Sequence, residues 1–184
     1  KIALGSRGAT RFSAMEAAGL DALAVTAYSH LEYLTGYDGS GGYFAPFPLI
    51  LAPGRPLTYV VRKYEEDAVR VQSCVSEIVP YRQEGEQAQV WADVLRGYGL
   101  GRARIGLELG CWNLAPCDVA RLQAELPALT IVDAPGLVAS VAAVKSDVEI
   151  DVMRRAMALT RLAIETFHRS LREGVSEAEV ARAI

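Results

Sequence analysis

Short apolar runs alternate with amphipathic segments between residues 86 and 144, and this alternation restricts the chain to few folds. The apolar runs are short and continuous, as in buried strands, and the segments between them carry apolar side chains at helical spacing. The predicted strands are residues 104–109 and 129–132, and the predicted helices are residues 86–95, 116–126 and 135–144. Strands that alternate with helices indicate an α/β fold in which at least part of the sheet is parallel.

The first half of the chain adds antiparallel pairing to this pattern. Residues 22–26 form a buried strand after a helix over residues 11–18, and residues 77–79 form another strand. Residues 47–51 and 57–61 are strand-like, and the Ala-Pro-Gly-Arg-Pro sequence between them is typical of a hairpin turn. We therefore predict an α/β fold with a mixed sheet of about six strands and helices on both faces.

A different pattern begins at Ser146. Ser146 and Glu149 form a capping box, which predicts the start of a long amphipathic helix over residues 146–173. Another capping box at Ser176 starts a further helix that reaches the last residue of the chain. We expect two parts, an α/β domain over residues 1–143 and the first helices of a second, truncated domain over residues 144–184.

Composition excludes several classes of function. The net charge is −3 and no stretch is strongly basic, which argues against a nucleic-acid surface. No apolar run has the length of about 18 residues that a membrane span needs, and the first residues lack the apolar core of a secretory signal. With 3 cysteines at no disulfide or zinc spacing, we expect reduced thiols and a cytoplasmic protein.

Individual motifs carry little chemistry of their own. The glycine-rich loop over residues 36–42 lacks the spacing of a phosphate-binding loop, so it is either a surface loop or a substrate-facing lid. His30 is expected to be solvated in the first turn of a short helix capped by Ser29, and Cys111 follows a predicted strand as a small apolar side chain. Arg62 follows a hairpin strand, either in a solvated turn or as a clamp for an anion. These residues predict an α/β domain without a self-contained active site.

Several segments nonetheless resemble one known family in their order and spacing. They are Gly-Leu-Asp-Ala-Leu at residues 19–23, Tyr-Leu-Thr-Gly-Tyr at residues 33–37, Val-Lys-Ser-Asp-Val-Glu-Ile at residues 144–150, Met-Arg-Arg-Ala at residues 153–156 and Arg-Glu-Gly-Val-Ser-Glu at residues 172–177. Together they resemble the creatinase/prolidase family, which includes the Xaa-Pro aminopeptidases. The resemblance extends over nearly the whole chain from Arg11.

The resemblance implies an N-terminal domain with a ribonuclease-H-like arrangement, followed by a "pita-bread" metallopeptidase domain. Family peptidases hold a pair of divalent metal ions (Mn, Co or Zn) with two Asp, one His and two Glu, and all five positions are expected beyond Ile184. The resemblance therefore implies a hydrolase parent, whereas this chain alone contains no catalytic or metal-binding residue.

In the family, the N-terminal domain mediates homodimerisation and places loops over the active site of the partner. By position, the residues expected near substrate are Tyr37, Asp38, Tyr43, Arg62 and Tyr64, with Arg62 meeting a substrate carboxylate. The expected substrate is a peptide or a small amide. Two alternatives stay open: the same domain of a creatinase- or ectoine-type C–N hydrolase, and a non-catalytic peptidase-like module that binds protein.

Overall fold

The computed structural model describes residues 8–39 and 47–184. The chain divides into two compact units, Lys1–Ala143 and Val144–Ile184. Six strands of the first unit are β1 Ala22–Val25, β2 Leu49–Leu51, β3 Thr58–Arg62, β4 Glu77–Tyr81, β5 Arg104–Leu107 and β6 Thr130–Asp133. Its helices, among the described residues, are α1 Gly8–Ala17, α2 Tyr28–Thr35, α3 Glu66–Gln72, α4 Gln87–Gly97, α5 Pro116–Glu125 and α6 Leu137–Ala143.

The strands form one mixed sheet in the order β4-β3-β2-β1-β5-β6. β2 pairs antiparallel with both β1 and β3, which confirms the predicted hairpin. β1 pairs in parallel with β5, β5 with β6, and β3 with β4. Because β2 alone among these strands runs in the opposite direction, the other five strands end at a common edge of the sheet.

The centre of the sheet is covered on both faces. All four residues of β1 are buried, although successive side chains of a strand point to opposite faces. One face packs against α1, α2 and α6 through a cluster that includes Met15, Leu34 and Val138. α4 lies on β3 and β4 and packs against α5, with Trp91 and Leu95 fully buried. The predicted fold class, a mixed α/β sheet between helices, is confirmed.

Two local predictions were wrong in ways that have a physical cause. β4 continues through Pro80 to Tyr81, because β4 is an edge strand and a missing amide donor is tolerated there. α2 begins at Tyr28 with Ala27 as its N-cap residue, so the predicted Ser29 capping box does not form. Ala27 has no side-chain acceptor, and the amides around it need a partner from another element.

The second unit consists of α7, Asp147–Ser170, and α8, Glu177–Ala183. Both predicted capping boxes are confirmed: the Ser146 hydroxyl accepts from the Glu149 amide at 3.4 Å, and the Ser176 hydroxyl accepts from the Glu179 amide at 3.3 Å. α7 has 24 residues and is shorter than predicted. Within residues 8–39 and 47–184, no helix is both long and apolar enough to cross a membrane.

Gly106 in β5 is expected to be sensitive to the smallest enlargement. A Cβ atom there would lie 2.8 Å from Leu20 Cδ1, 2.9 Å from Leu23 Cδ1 and 3.0 Å from Ala134 Cβ. We expect Gly106→Ala to lower the free energy of unfolding by about 1–3 kcal/mol through overpacking, measured by urea denaturation. Gly97→Ala is the matched control, because its Cβ meets nothing within 4 Å; equal losses in both variants would contradict the packing argument.

Candidate functional site at the carboxyl edge of the sheet

The common edge where β1, β3, β4, β5 and β6 end is the natural position for a site. In open α/β sheets, ligands bind outside the carboxyl ends of the strands, where the connecting loops converge. Here the turn from β1 to α2, the residues after β3 and the loop after β5 meet at this edge. Two groups of polar side chains occupy it, one around Glu108 and one made of tyrosines.

Glu108, directly after β5, is 4% exposed and binds the turn between β1 and α2. Its Oε2 atom accepts from the amide of Thr26 at 3.0 Å and from the amide of Ala27 at 2.8 Å, while Oε1 contacts His30 Nδ1. The amide group of Asn113 donates to the Thr26 carbonyl at 2.8 Å. We call these five residues the Glu108 cluster. Within it, Glu108 and Asn113, which both follow β5, hold the turn: Glu108 accepts from its amides and Asn113 donates to its carbonyl.

His30 was predicted to be solvated, and this prediction was wrong. Its side chain is 19% exposed and pairs with the Glu108 carboxylate instead of being solvated. Residue spacing could not show this, because the two residues are 78 positions apart and meet through the parallel pairing of β1 with β5. Sequence reasoning missed Glu108 itself, although a carboxylate directly after a buried apolar run was an available signal. Cys111, in the same loop, donates its thiol to the side-chain oxygen of Asn113.

The second group is a tyrosine cluster, which we define as Tyr28, Tyr37, Tyr59 and Tyr64. The Tyr37 hydroxyl donates to Glu65 Oε2, which links the segment after α2 to the residues after β3. The Tyr28 hydroxyl donates to the backbone carbonyl of Asp38. These contacts attach the segment after α2 both to the start of α2 and to the residues after β3.

Burial and nearby negative charge keep the inner tyrosines protonated. Burial raises the pKa of Tyr37 above its ordinary value, and the hydrogen bond to Glu65 raises it further. Burial also raises the pKa of Tyr59, with a smaller contribution from Tyr37 beside it. Burial, followed by the charges of Glu32 and Asp38, raises the pKa of Tyr28. At neutral pH these hydroxyls are hydrogen-bond donors.

The structure places four of the five predicted substrate-proximal residues in this region. Tyr37 is 5% exposed, so its ring supports the site from below, whereas Asp38 is exposed. Arg62 is half-buried, with its guanidinium carbon 6.0 Å from the ring centroid of Tyr64, and Tyr64 is 66% exposed. The fifth residue, Tyr43, lies outside the described residues.

Two of these side chains, Asp38 and Tyr64, are exposed, and Arg62 is half-buried beside the Tyr64 ring. The three supply a carboxylate, an aromatic ring and a guanidinium. Among residues 8–39 and 47–184, no group of three or more His, Cys, Asp or Glu side chains could hold a metal ion. The described donor set therefore does not fit the metal pair that the family resemblance implies.

The raised pKa values of Tyr37 and Tyr59 predict how stability depends on pH. Both tyrosines are easier to ionise in the unfolded chain, so their stabilising effect is complete below about pH 10 and is lost as the pH rises above it. We expect the free energy of unfolding to fall by up to about 1.4 kcal/mol per pH unit for each group. Urea denaturation over a pH series measures this slope.

Tyr37→Phe should make that slope shallower, because phenylalanine does not ionise. Tyr64→Phe is the control, since its ring is largely exposed. Identical slopes in the unsubstituted chain and in Tyr37→Phe would contradict the assignment.

Solved structures with the same fold include peptidases. Over 97% of this chain and 46% of the other, the structure superposes on a Xaa-Pro dipeptidase from Bacillus anthracis with a TM-score of 0.76 at 20% identity. It also superposes on an X-Pro aminopeptidase from Thermotoga maritima, with a TM-score of 0.73 at 15% identity, over 93% of this chain and 47% of that one. At these identities the likeness shows the fold alone.

Two sequence relatives and one family model also match this chain. Two uncharacterized hydrolase/peptidase proteins of Sinorhizobium fredii, y4tL and y4tM, are 28% and 29% identical to this chain over 172 and 178 residues. These matches include 88% and 92% of this chain but 43% and 45% of the relatives, so the chain spans less than half their length. The model of the Creatinase/Prolidase N-terminal domain matches residues 12–144. This chain therefore belongs to the creatinase/prolidase N-terminal domain family.

Proposed function

We propose that this chain is the substrate-specificity and dimerisation domain of a metal-dependent Xaa-Pro peptidase. The observation that carries the proposal is the family match over residues 12–144, together with an exposed recognition surface at the edge where α/β sheets bind ligands. The structural neighbours named as Xaa-Pro dipeptidase and X-Pro aminopeptidase support the choice of substrate class. Residues 1–143 are the specificity domain, and residues 144–184 begin the catalytic domain.

The remaining parts of the proposal concern what the complete protein contains. Its pair of divalent metal ions would be held by residues outside this chain, and the protein would be a cytoplasmic homodimer. In that dimer the site described above faces the active site of the partner. Asp38 and Tyr64 line the approach to it, Arg62 binds the carboxylate of the substrate, and Tyr37 supports them from the interior.

The first prediction from this proposal is that the 184-residue chain alone has no peptidase activity. We expect no cleavage of the dipeptide Ala-Pro in the presence of Mn²⁺, Co²⁺ or Zn²⁺, and no tight metal binding by isothermal titration calorimetry. The positive control is the longer protein, expressed with the residues that follow Ile184 in its gene. Chelator-sensitive hydrolysis by the 184-residue chain would place the catalytic centre inside it and overturn the proposal.

The second prediction tests the role of Arg62 in the longer protein. A charge-assisted hydrogen bond from a guanidinium to a carboxylate contributes about 1.5–3 kcal/mol, so Arg62→Ala should raise KM for Ala-Pro about tenfold or more. We expect kcat to change little, because the contact is made with the bound substrate both before and during the reaction. Steady-state kinetics separates the two constants.

Arg55→Ala is the matched control for this variant. Arg55 lies in the turn before β3, at the opposite end of that strand from Arg62. Its guanidinium carbon is 5.3 Å from the ring centroid of Tyr98. Its removal should leave KM unchanged. If Arg62→Ala lowers the melting temperature while KM stays the same, Arg62 serves the fold and does not bind substrate.

A further inference from the structure

We propose that Glu108 is a positioning residue, which sets the Tyr37–Asp38 part of the candidate site from the far end of α2. The inference rests on the proposed function, because it concerns residues assigned there to substrate recognition. Glu108 itself is buried and makes its described contacts with the β1–α2 turn and with α2. It therefore acts through α2 and has no direct role toward substrate.

The first step is the anchoring of α2 at its N-terminus. Ala27, the N-cap residue, has no side chain that can accept a hydrogen bond, although the start of a helix exposes amides that need acceptors. Glu108 binds the start of the helix from outside it: its Oε2 atom accepts from the amide of the N-cap residue Ala27 at 2.8 Å and from the amide of the preceding Thr26 at 3.0 Å. A negative charge is favoured at this end of a helix. The contact with His30, in the first turn, adds a side-chain attachment.

The second step is the attachment of the recognition segment to α2. Tyr28, the first residue of α2, donates its hydroxyl to the carbonyl of Asp38. At the other end of α2, the Gly36 amide donates to the Glu32 carbonyl at 2.7 Å, with φ of 74° at Gly36. The Tyr37 amide then donates to the Thr35 hydroxyl at 3.1 Å. Residues 36–38 are therefore bonded to both ends of the helix that Glu108 anchors.

The third step is the contribution of the other groups that hold the turn. Asn113 binds the Thr26 carbonyl, whereas the buried Thr26 hydroxyl has no hydrogen-bond partner among the described residues. The described hydrogen bonds of Thr26 are thus made by its backbone. Without the Glu108 charge, the Thr26 and Ala27 amides lose a charged acceptor and their hydrogen bonds weaken, whereas the bond from Asn113 to the Thr26 carbonyl remains. The position of Tyr28, one residue later, then becomes less defined.

Amide hydrogen exchange on the 184-residue chain tests whether the anchoring of the turn by Glu108 affects residues 36–38. We expect Glu108→Gln, which removes the charge at nearly constant size, to speed exchange about tenfold at Thr26 and Ala27 and several-fold at residues 36–38. Tyr28→Phe should speed exchange at residues 36–38 alone, because it breaks the second step and leaves the first intact. Asp133→Asn is the matched control: Asp133 also accepts a backbone amide, from Leu109 at 3.2 Å, but not from the turn.

Two results would overturn the proposal. In the first, Glu108→Gln loosens Thr26 and Ala27 while residues 36–38 exchange as before, so that Glu108 is a helix cap and nothing more. In the second, Tyr28→Phe leaves residues 36–38 unchanged; this variant removes one hydroxyl, so it decides the question even if Glu108→Gln does not fold.

Kinetics of the longer protein supply the functional readout. We expect Glu108→Gln to raise KM for Ala-Pro at least about threefold with little change in kcat, as for a residue that orders the binding surface. An unchanged KM in a folded variant would contradict the positioning role. If the unsubstituted longer protein does not cleave Ala-Pro at all, the proposed function fails, whereas the exchange experiment still decides whether Glu108 positions residues 36–38.

Discussion

The parallel pairing of β1 with β5 is the constraint on which the candidate site depends. It sets Ala24 opposite Leu107, so the residues that follow the two strands leave the sheet side by side. Glu108 is thereby brought within hydrogen-bond distance of the Thr26 and Ala27 amides, which follow β1 more than eighty positions earlier in the chain. A buried carboxylate is costly unless its oxygens are bound. Here the two amides of the turn and the His30 side chain satisfy those oxygens. The same hydrogen bonds fix the position of the turn.

From that point the site is built outward through successive hydrogen bonds. α2 begins at the anchored turn and runs to Gly36, after which Tyr37 reaches Glu65 beyond β3. Tyr37 and Tyr59 are buried in this region, while Asp38 and Tyr64 remain exposed. In the proposed function, the inner residues determine the position of the outer residues, and the outer residues contact the substrate. In the proposed dimer, such a surface would adjust specificity without taking part in the chemistry.

Features that depend on neighbouring residues were predictable from the sequence, whereas features that depend on distant ones were not. The capping boxes at Ser146 and Ser176 lie within one helical turn, and the sequence located both. The Ser29 capping box had the same pattern and did not form, because α2 begins at Tyr28 with Ala27 as its N-cap residue, which places Ser29 inside the helix. Likewise, the burial of Tyr37 and its hydrogen bond to Glu65, 28 positions later in the chain, depend on residues that are distant in the sequence.

By itself, the sequence determined the mixed α/β sheet, the hairpin of β2 and β3, the long helix after Ser146 and the family. These features could be predicted because periodicity, turns, caps and motif order depend on residues close together in the chain. Only the tertiary structure decided that His30 pairs with Glu108, that α2 starts at Tyr28, and that Tyr37 is buried. These outcomes depend on which strands are neighbours and on their register. Contacts between residues about 30 to 80 positions apart exist only once the sheet has formed, so local pattern does not contain them.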